Sequence, residues 1–242
     1  DENHIDADAV AAAALVPHDR DLTASMPDAS PAEDLKHLAV REHADLLVLG
    51  PATDTPVGKI RIGATCRGVL HGAPCPVLVP PRGYADHALT RPDRIGLAYD
   101  GSPEAERVLE YAVRLAASAD AWLEIVQAID LTGLPTVPDR PRQEHVASVL
   151  AGVQSRLDTL AAGLDVPANA HVVEGPVQHV LGELAARVDL LVCGSRSWGP
   201  TTRIALGGVA ERLMQHASCP VLVVPREGVL PLPARASVPR LL

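Results

Sequence analysis

Two hydrophobic rhythms alternate along the chain. Short, nearly unbroken apolar runs at Leu46–Leu49, Pro76–Val79, Arg94–Asp100, Trp122–Ala128, Ala170–Val173, Asp189–Cys193 and Pro220–Val224 have the length of strands. Between most of them apolar residues recur every third or fourth position, the period of a helix with one buried face. Ala105, Val108, Leu109, Ala112, Leu115 and Ala116 mark one such face, and Val146, Val149, Leu150, Val153, Leu157 and Leu160 mark a longer one. Strands that are continuous Val/Leu runs belong to a sheet covered on both faces, and their alternation with helices makes that sheet parallel.

From Arg94 onward the order is complete. Gly101 ends the first strand, Ser102 is a good N-cap, and Pro103 suits the first helical position, where its missing donor is not needed. Strand Trp122–Ala128, a Pro-rich loop at Asp130–Pro141 and the long helix follow. Strand Ala170–Val173, helix Val177–Arg187, strand Asp189–Cys193, helix Val209–Ala217 and strand Pro220–Val224 complete the unit. This order predicts a five-stranded, doubly wound, Rossmann-like α/β domain.

Self-comparison shows a second copy. Ala44-Asp-Leu-Leu-Val-Leu-Gly50 aligns with Val188-Asp-Leu-Leu-Val-Cys-Gly194, and Cys75-Pro-Val-Leu-Val79 with Cys219-Pro-Val-Leu-Val223, both at an offset of 144. The helical stretches that open at Pro31 and Pro176 match at an offset of 145. The expected boundaries are a first copy at 1–83, a linker at 84–92, a complete copy at 93–226 and an irregular tail at 227–242. Ahead of Leu46–Leu49 there is room for a helix near Ala7–Leu15, a strand at Asp21–Met26 and the helix Pro31–Glu42, with no counterpart of Arg94–Ala128. The expectation is a truncated or mis-started sequence. A partner subunit supplying the missing strands is the lesser alternative, because it leaves apolar sheet edges bare in the free chain.

Charge and composition narrow the function classes. The formal net charge is −9 and the aromatic content is 2%, so there is neither a basic footprint nor a row of stacking platforms for nucleic acid. No window approaches the roughly 18 uninterrupted apolar residues of a membrane span. Asp1–Arg20 has no basic segment ahead of an apolar stretch and does not read as a signal peptide. Cys66, Cys75, Cys193 and Cys219 show no C-x-x-C and no His at metal-ligand spacing. Cys75 and Cys219 read as buried small hydrophobes at strand starts, and a reducing, cytoplasmic compartment is expected.

Ligands of open α/β sheets bind beyond the carboxyl ends of the strands, where the strand order reverses. Asp100, Ala128 and the stretch from Gly194 to Val209 arrive there. That stretch passes Arg196, Ser197 and Arg203 and enters the next helix through Gly207-Gly208. Glycines at a helix start let backbone amides approach an anion, the helix dipole favours negative charge, and arginines add charge-assisted bonds to phosphate. On residues alone the stretch reads either as a phosphate cradle or as a tight Gly-rich connection with solvated arginines.

On these residues the chain resembles the universal stress protein family over nearly its whole length, as a tandem member with an incomplete first copy. The carriers are Ala98-Tyr-Asp-Gly-Ser-Pro103, Gly175-Pro176, and the block Asp189–Arg226 with its Cys-Pro-Val-Leu-Val-Val-Pro-Arg ending. Nucleotide-binding members show Gly, two residues, Gly, nine residues, then Gly followed by Ser or Thr. The resemblance implies an adenine-nucleotide α-hydrolase-like fold, with Asp100 contacting a ribose and Ala128 lining an adenine pocket. It implies that Gly194, Arg196, Ser197, Arg203, Gly207, Gly208 and Val209 hold the phosphates of ATP or another adenine nucleotide, Mg accompanying ATP.

The match is partial. Ser197 stands where the pattern has its second glycine, and Gly208 replaces the Ser or Thr. Gly208 keeps a backbone amide but loses a hydroxyl, whose bond to a charged group is worth about 1.5–3 kcal/mol. In the first copy Gly50 and Gly63 keep the frame, while Thr53 and Ala64 fill the other positions and the Asp-bearing strand has no counterpart. No nucleotide is expected there, and Lys59, at the place of Arg203, reads as a solvated residue. The resemblance also implies association through last strands, Pro220–Val224 with Pro76–Val79 within a chain or between copies in a homodimer.

Three functions are weighed: a nucleotide-responsive stress adaptor, a degenerate module acting through protein–protein contacts alone, and an enzyme acting on ATP. The last lacks a P-loop, a carboxylate pair near the loop and a general base beside Asp100. Ser102 is explained as a cap, and Ser195 has no visible His partner. The expectation is a non-enzymatic adaptor that binds adenine nucleotide in its second copy.

Overall fold

Helix starts are set by serines that precede prolines. In the computed structural model, which describes residues 30–86, 91–131, 141–195 and 213–225, Ser30 Oγ accepts from Glu33 N at 3.4 Å and Ser102 Oγ from Ala105 N at 3.1 Å. Each satisfies an orphan amide of a first turn. The elements are α1 (Pro31–Arg41), β1 (Leu47–Val48), α2 (Ala64–Leu70), β2 (Val77–Val79), β3 (Arg94–Ala98), α3 (Pro103–Ala119) and β4 (Trp122–Ile129). They continue as α4 (Arg142–Ala162), β5 (Ala168–Glu174), α5 (Val177–Ala185), β6 (Leu190–Gly194) and β7 (Val221–Val224), with residues 213–216 helical ahead of β7.

All seven strands form one sheet, in the order β1-β2-β7-β6-β3-β4-β5. The five strands from β3 onward are parallel, with β3 between β4 and β6, which is the doubly wound arrangement expected from their sequence. β1 and β2 continue the same sheet, and β2 meets β7 antiparallel, with Val77 opposite Val223 and Val79 opposite Val221. The two strands that follow the repeated Cys-Pro, β2 and β7, are thus joined within one chain. Cys75 and Cys219, ahead of those strands, are buried and free.

Both faces of the sheet are covered. Ala32, Leu35, Val69, Leu181, Leu184, Leu213 and Met214 pack on Val77, Val79, Leu191, Val221 and Val223 on one side. On the other, Val108, Leu109, Ala112, Val153 and Leu157 pack on Ile95, Leu97, Leu123, Ile125, Val192 and Leu222. Leu191 and Val192 thus point to opposite faces, as successive strand residues must.

Element limits differ from the sequence expectation where apolar spacing gives no signal. α4 begins at Arg142, directly after the Pro-rich loop that ends at Pro141, and its first turn is solvent-exposed ahead of the apolar face that starts at Val146. β1 is only Leu47–Val48, with Leu46 40% exposed at the outer end of the sheet. β5 extends to Ala168 and Glu174, and Gln154 of α4 completes its outer edge: Gln154 Oε1 accepts from Val172 N at 2.9 Å and Nε2 donates to Ala170 O at 2.8 Å. One side-chain amide does there what a neighbouring strand would do, and so blunts the edge. The expected helix at Ala7–Leu15, the strand at Asp21–Met26, positions 132–140 of the Pro-rich loop and the tail at 227–242 lie outside the described residues.

Two glycines show opposite constraints. A Cβ on Gly68 would lie 2.6 Å from the Ala32 Cβ, so α1 and α2 cross in contact there, whereas a Cβ on Gly152 in α4 meets nothing within 4 Å. Gly68→Ala is expected to destabilise the protein by about 1–3 kcal/mol through overpacking. Gly152→Ala is expected to stabilise it by about 0.5–1 kcal/mol. Urea denaturation of the two variants checks both signs.

Candidate functional site

Five parallel strands bring their carboxyl ends to one edge of the sheet, and β3 is where the order reverses. Ala98 is opposite Val126 and Leu97 opposite Val192, so the chain beyond β3 carries Asp100 level with Ala128 and beside the end of β6. Gly194 closes β6 opposite Val224, and Ser195 N donates to Val224 O at 2.8 Å. Asp100, Ala128 and Gly194 therefore arrive at the same edge. Arg196, Ser197, Arg203, Gly207, Gly208 and Val209 lie outside the described residues.

The turn that presents Asp100 is tightly specified. Tyr99 N still donates to Val126 O of β4 at 3.0 Å. Gly101 then takes φ +75°, a backbone conformation that favours glycine. Asp100 Oδ1 accepts from Ser102 N at 2.9 Å, and Asp100 O accepts from Gln127 Nε2 at 3.4 Å. Asp100 Oδ2 has no hydrogen bond among the described residues, and the side chain is half-buried. Ser102 is the N-cap of α3, as expected from Ser-Pro, so its hydroxyl is engaged by Ala105 N. Ala128 is buried at the end of β4.

Three further side chains brace this turn. The Tyr99 hydroxyl donates to Glu106 Oε1 in the first turns of α3, and Gln127 reaches the Asp100 carbonyl from β4. Burial, then the hydrogen bond and charge of Glu106, push the Tyr99 phenol up, so it stays a protonated donor throughout the neutral range. Tyr99 lies within the Ala98–Pro103 motif, but neither Glu106 nor Gln127 carries a periodic or motif signal in the sequence.

Beyond β1, whose Leu-Leu-Val-Leu-Gly matches the β6 sequence at the offset of 144, the connection from β1 to α2 is folded on itself. Arg82, just after β2, donates through Nη1 to Thr53 O and Thr55 O, both at 2.7 Å. Gly58 N donates to Arg82 O and Arg82 N to Lys59 O, both at 2.9 Å, and Ala52 N to Arg61 O at 2.8 Å. Ile60 is fully buried under this loop, and Gly63 is the N-cap of α2 without a side-chain bond. Lys59 is exposed, in keeping with a solvated residue. β1 ends the sheet, so among the described residues no strand like β3 stands beside it to present a carboxylate. The Arg82 clamp was missed in the sequence, although its recurrence as Arg226 at the same offset of 144 was a usable signal.

The thiols are inert by the same packing. Cys193 is pushed up to about 12 by burial, and Cys219 to about 12 with burial again the main cause. Burial thus favours the protonated thiol at both positions across the physiological pH range.

Fold and edge together define a doubly wound α/β protein whose five parallel strands end at one edge of the sheet. The model of the universal stress protein family matches residues 1–81 and 92–225, and the chain belongs to that family. It is 30% identical over 190 residues to a universal stress protein of Mycolicibacterium smegmatis, a match covering 75% of this chain and 62% of that relative. It is 25% identical over 161 residues to the stress response protein NhaX of Bacillus subtilis, covering 54% of this chain and 97% of that one. The chain thus spans about three-fifths of the length of the mycobacterial relative.

Solved structures agree on the fold. A Pseudomonas aeruginosa UCBPP-PA14 protein described as a universal stress protein superposes with a TM-score of 0.61 at 19% identity, covering 82% of this chain and 69% of that one. A universal stress protein from Archaeoglobus fulgidus DSM 4304 does so at 0.52 and 22% identity, covering 81% and 66%. Among the described residues no helix is long and apolar enough to cross a membrane.

Proposed function

We propose that this chain is a stress-response adaptor that binds ATP or another adenine nucleotide, with Mg accompanying ATP, in the copy at 93–226, without efficient catalysis. One observation carries the reading: a half-buried carboxylate, Asp100, stands at the switch point between Ala128 and Gly194, with Oδ1 engaged by Ser102 N and Oδ2 without a hydrogen bond among the described residues. In this reading Asp100 Oδ2 accepts from a ribose hydroxyl and Ala128 lines the adenine. Gly194, Arg196, Ser197, Arg203, Gly207, Gly208 and Val209 hold the phosphates through amides and guanidinium groups. Neither Ser102 nor Asp100 Oδ1 is available as a nucleophile or base, because each is committed to the start of α3.

In the same reading the chain is two copies of one module, residues 1–83 and 93–226, joined by 84–92 and followed by a tail at 227–242. The first copy serves the β2–β7 seam rather than a ligand, since its loop hydrogen-bonds to itself around Arg82. Four free, buried cysteines support action in a reducing cytoplasm. A contacts-only module is the second reading, favoured by Ser197 and Gly208 in place of the glycine and hydroxyl of the nucleotide-binding pattern.

Equilibrium binding of labelled ATP to the full chain, with and without Mg, tests the first reading. Saturable binding at or below millimolar ATP is expected. Its absence at millimolar ligand overturns nucleotide binding. Capture of the same partner by wild type, Asp100→Ala and Gly207→Val would then favour the contacts-only module.

A further inference from the structure

The residues that hold Asp100 still are not those that the glycine frame identifies. Asp100 sits in a four-residue turn, 99–102, between a strand end and a helix start, and a carboxylate in a turn orients a ligand only if both flanks are fixed. The strand flank is fixed by Tyr99 N on Val126 O at 3.0 Å and by Gln127 Nε2 on Asp100 O at 3.4 Å. The helix flank is fixed by Ser102 N on Asp100 Oδ1 at 2.9 Å. The two flanks are tied to each other by one further bond, from the Tyr99 hydroxyl to Glu106 Oε1, which spans the turn from strand to helix. Tyr99 is buried against the sheet face that carries α3 and α4, so its ring cannot swing away to release the tie.

We propose that Tyr99 and Glu106 form a latch that positions Asp100 for the ribose of a bound nucleotide, making the pair a determinant of ribose recognition rather than of phosphate binding. This rests on the nucleotide-binding reading above. The latch touches no ligand atom itself; it acts by keeping Asp100 Oδ2 aimed outward while Oδ1 remains on Ser102 N. Opening it leaves the fold unchanged but lets the carboxylate turn. The loss therefore falls on ligands that carry ribose hydroxyls and spares those that lack them.

Titration of the full chain with ATP and with dideoxyadenosine triphosphate, which lacks both ribose hydroxyls, tests the latch. Tyr99→Phe keeps the buried ring and removes only the donor. Glu106→Ala removes the acceptor. Each is expected to weaken ATP by about 3- to 10-fold, and the double variant no more than either single one, because both remove the same bond. Affinity for the dideoxy nucleotide stays at the wild-type value in all three, and Glu106→Gln, which keeps an acceptor oxygen, restores most of the ATP affinity lost in Glu106→Ala. Equal weakening of both nucleotides, additive single effects, or variants that bind ATP like wild type overturn the latch while leaving nucleotide binding standing. Wild type that binds neither nucleotide overturns the underlying reading, and the latch with it, before any variant is made.

Discussion

Val79→Pro is expected to part the sheet at its antiparallel seam. Val79 is fully buried opposite Val221, and β2 alternates its backbone groups between two neighbours. Leu49 N donates to Leu78 O, so Leu78 faces β1 and Val79 faces β7. Proline at 79 removes the amide that serves Val221 and thrusts its ring into the ladder. The orphaned carbonyl alone costs about 1–3 kcal/mol, and the ring's collision with β7 adds to it. Calorimetry should show one unfolding transition in wild type and, in the variant, an early transition for the α1–β2 region ahead of the rest. Limited proteolysis should cut within 30–86 first. A single transition at the wild-type temperature would mean that the seam does not hold the two parts together.

The seam and the site differ in how far the sequence revealed them. The repeated Cys-Pro-Val-Leu-Val made both seam strands visible, because fully buried strands are written as unbroken apolar runs. Ser102 announced its helix because a cap is a local bond between neighbours in sequence. Asp100 was legible from its place after a strand and before a capped helix. The partners Glu106 and Gln127 were not, since a polar side chain used across a fold leaves no periodicity behind. Gln154 was hidden for the same reason: its partners, Ala170 and Val172, belong to another element.

Gly207→Val should abolish saturable ATP binding, whereas Gly63→Val should leave it unchanged. The two glycines are counterparts at the same offset of 144. Gly63 is seen as the N-cap of α2, at φ −75° and ψ 175°, a conformation open to any residue, with its nearest non-neighbouring atom the Ala52 Cβ at 3.7 Å from an added Cβ. Valine there is tolerated and touches no proposed ligand. At Gly207 the branched side chain would stand where phosphate must approach backbone amides. Loss of two charge-assisted bonds of about 1.5–3 kcal/mol each lowers affinity by about 100-fold or more. Isothermal titration of both variants reads the difference. Equal loss in the two, or full binding by Gly207→Val, would place the phosphates elsewhere.

The central claim is that one edge of one copy takes the nucleotide. Amide chemical-shift mapping of the full chain during ATP addition tests it most directly. The account predicts saturable shifts at Tyr99–Ser102, Ala128 and Gly194, with Gly50–Ala64 unmoved. Shifts confined to Gly50–Ala64, or none at either edge at millimolar ATP, would contradict it.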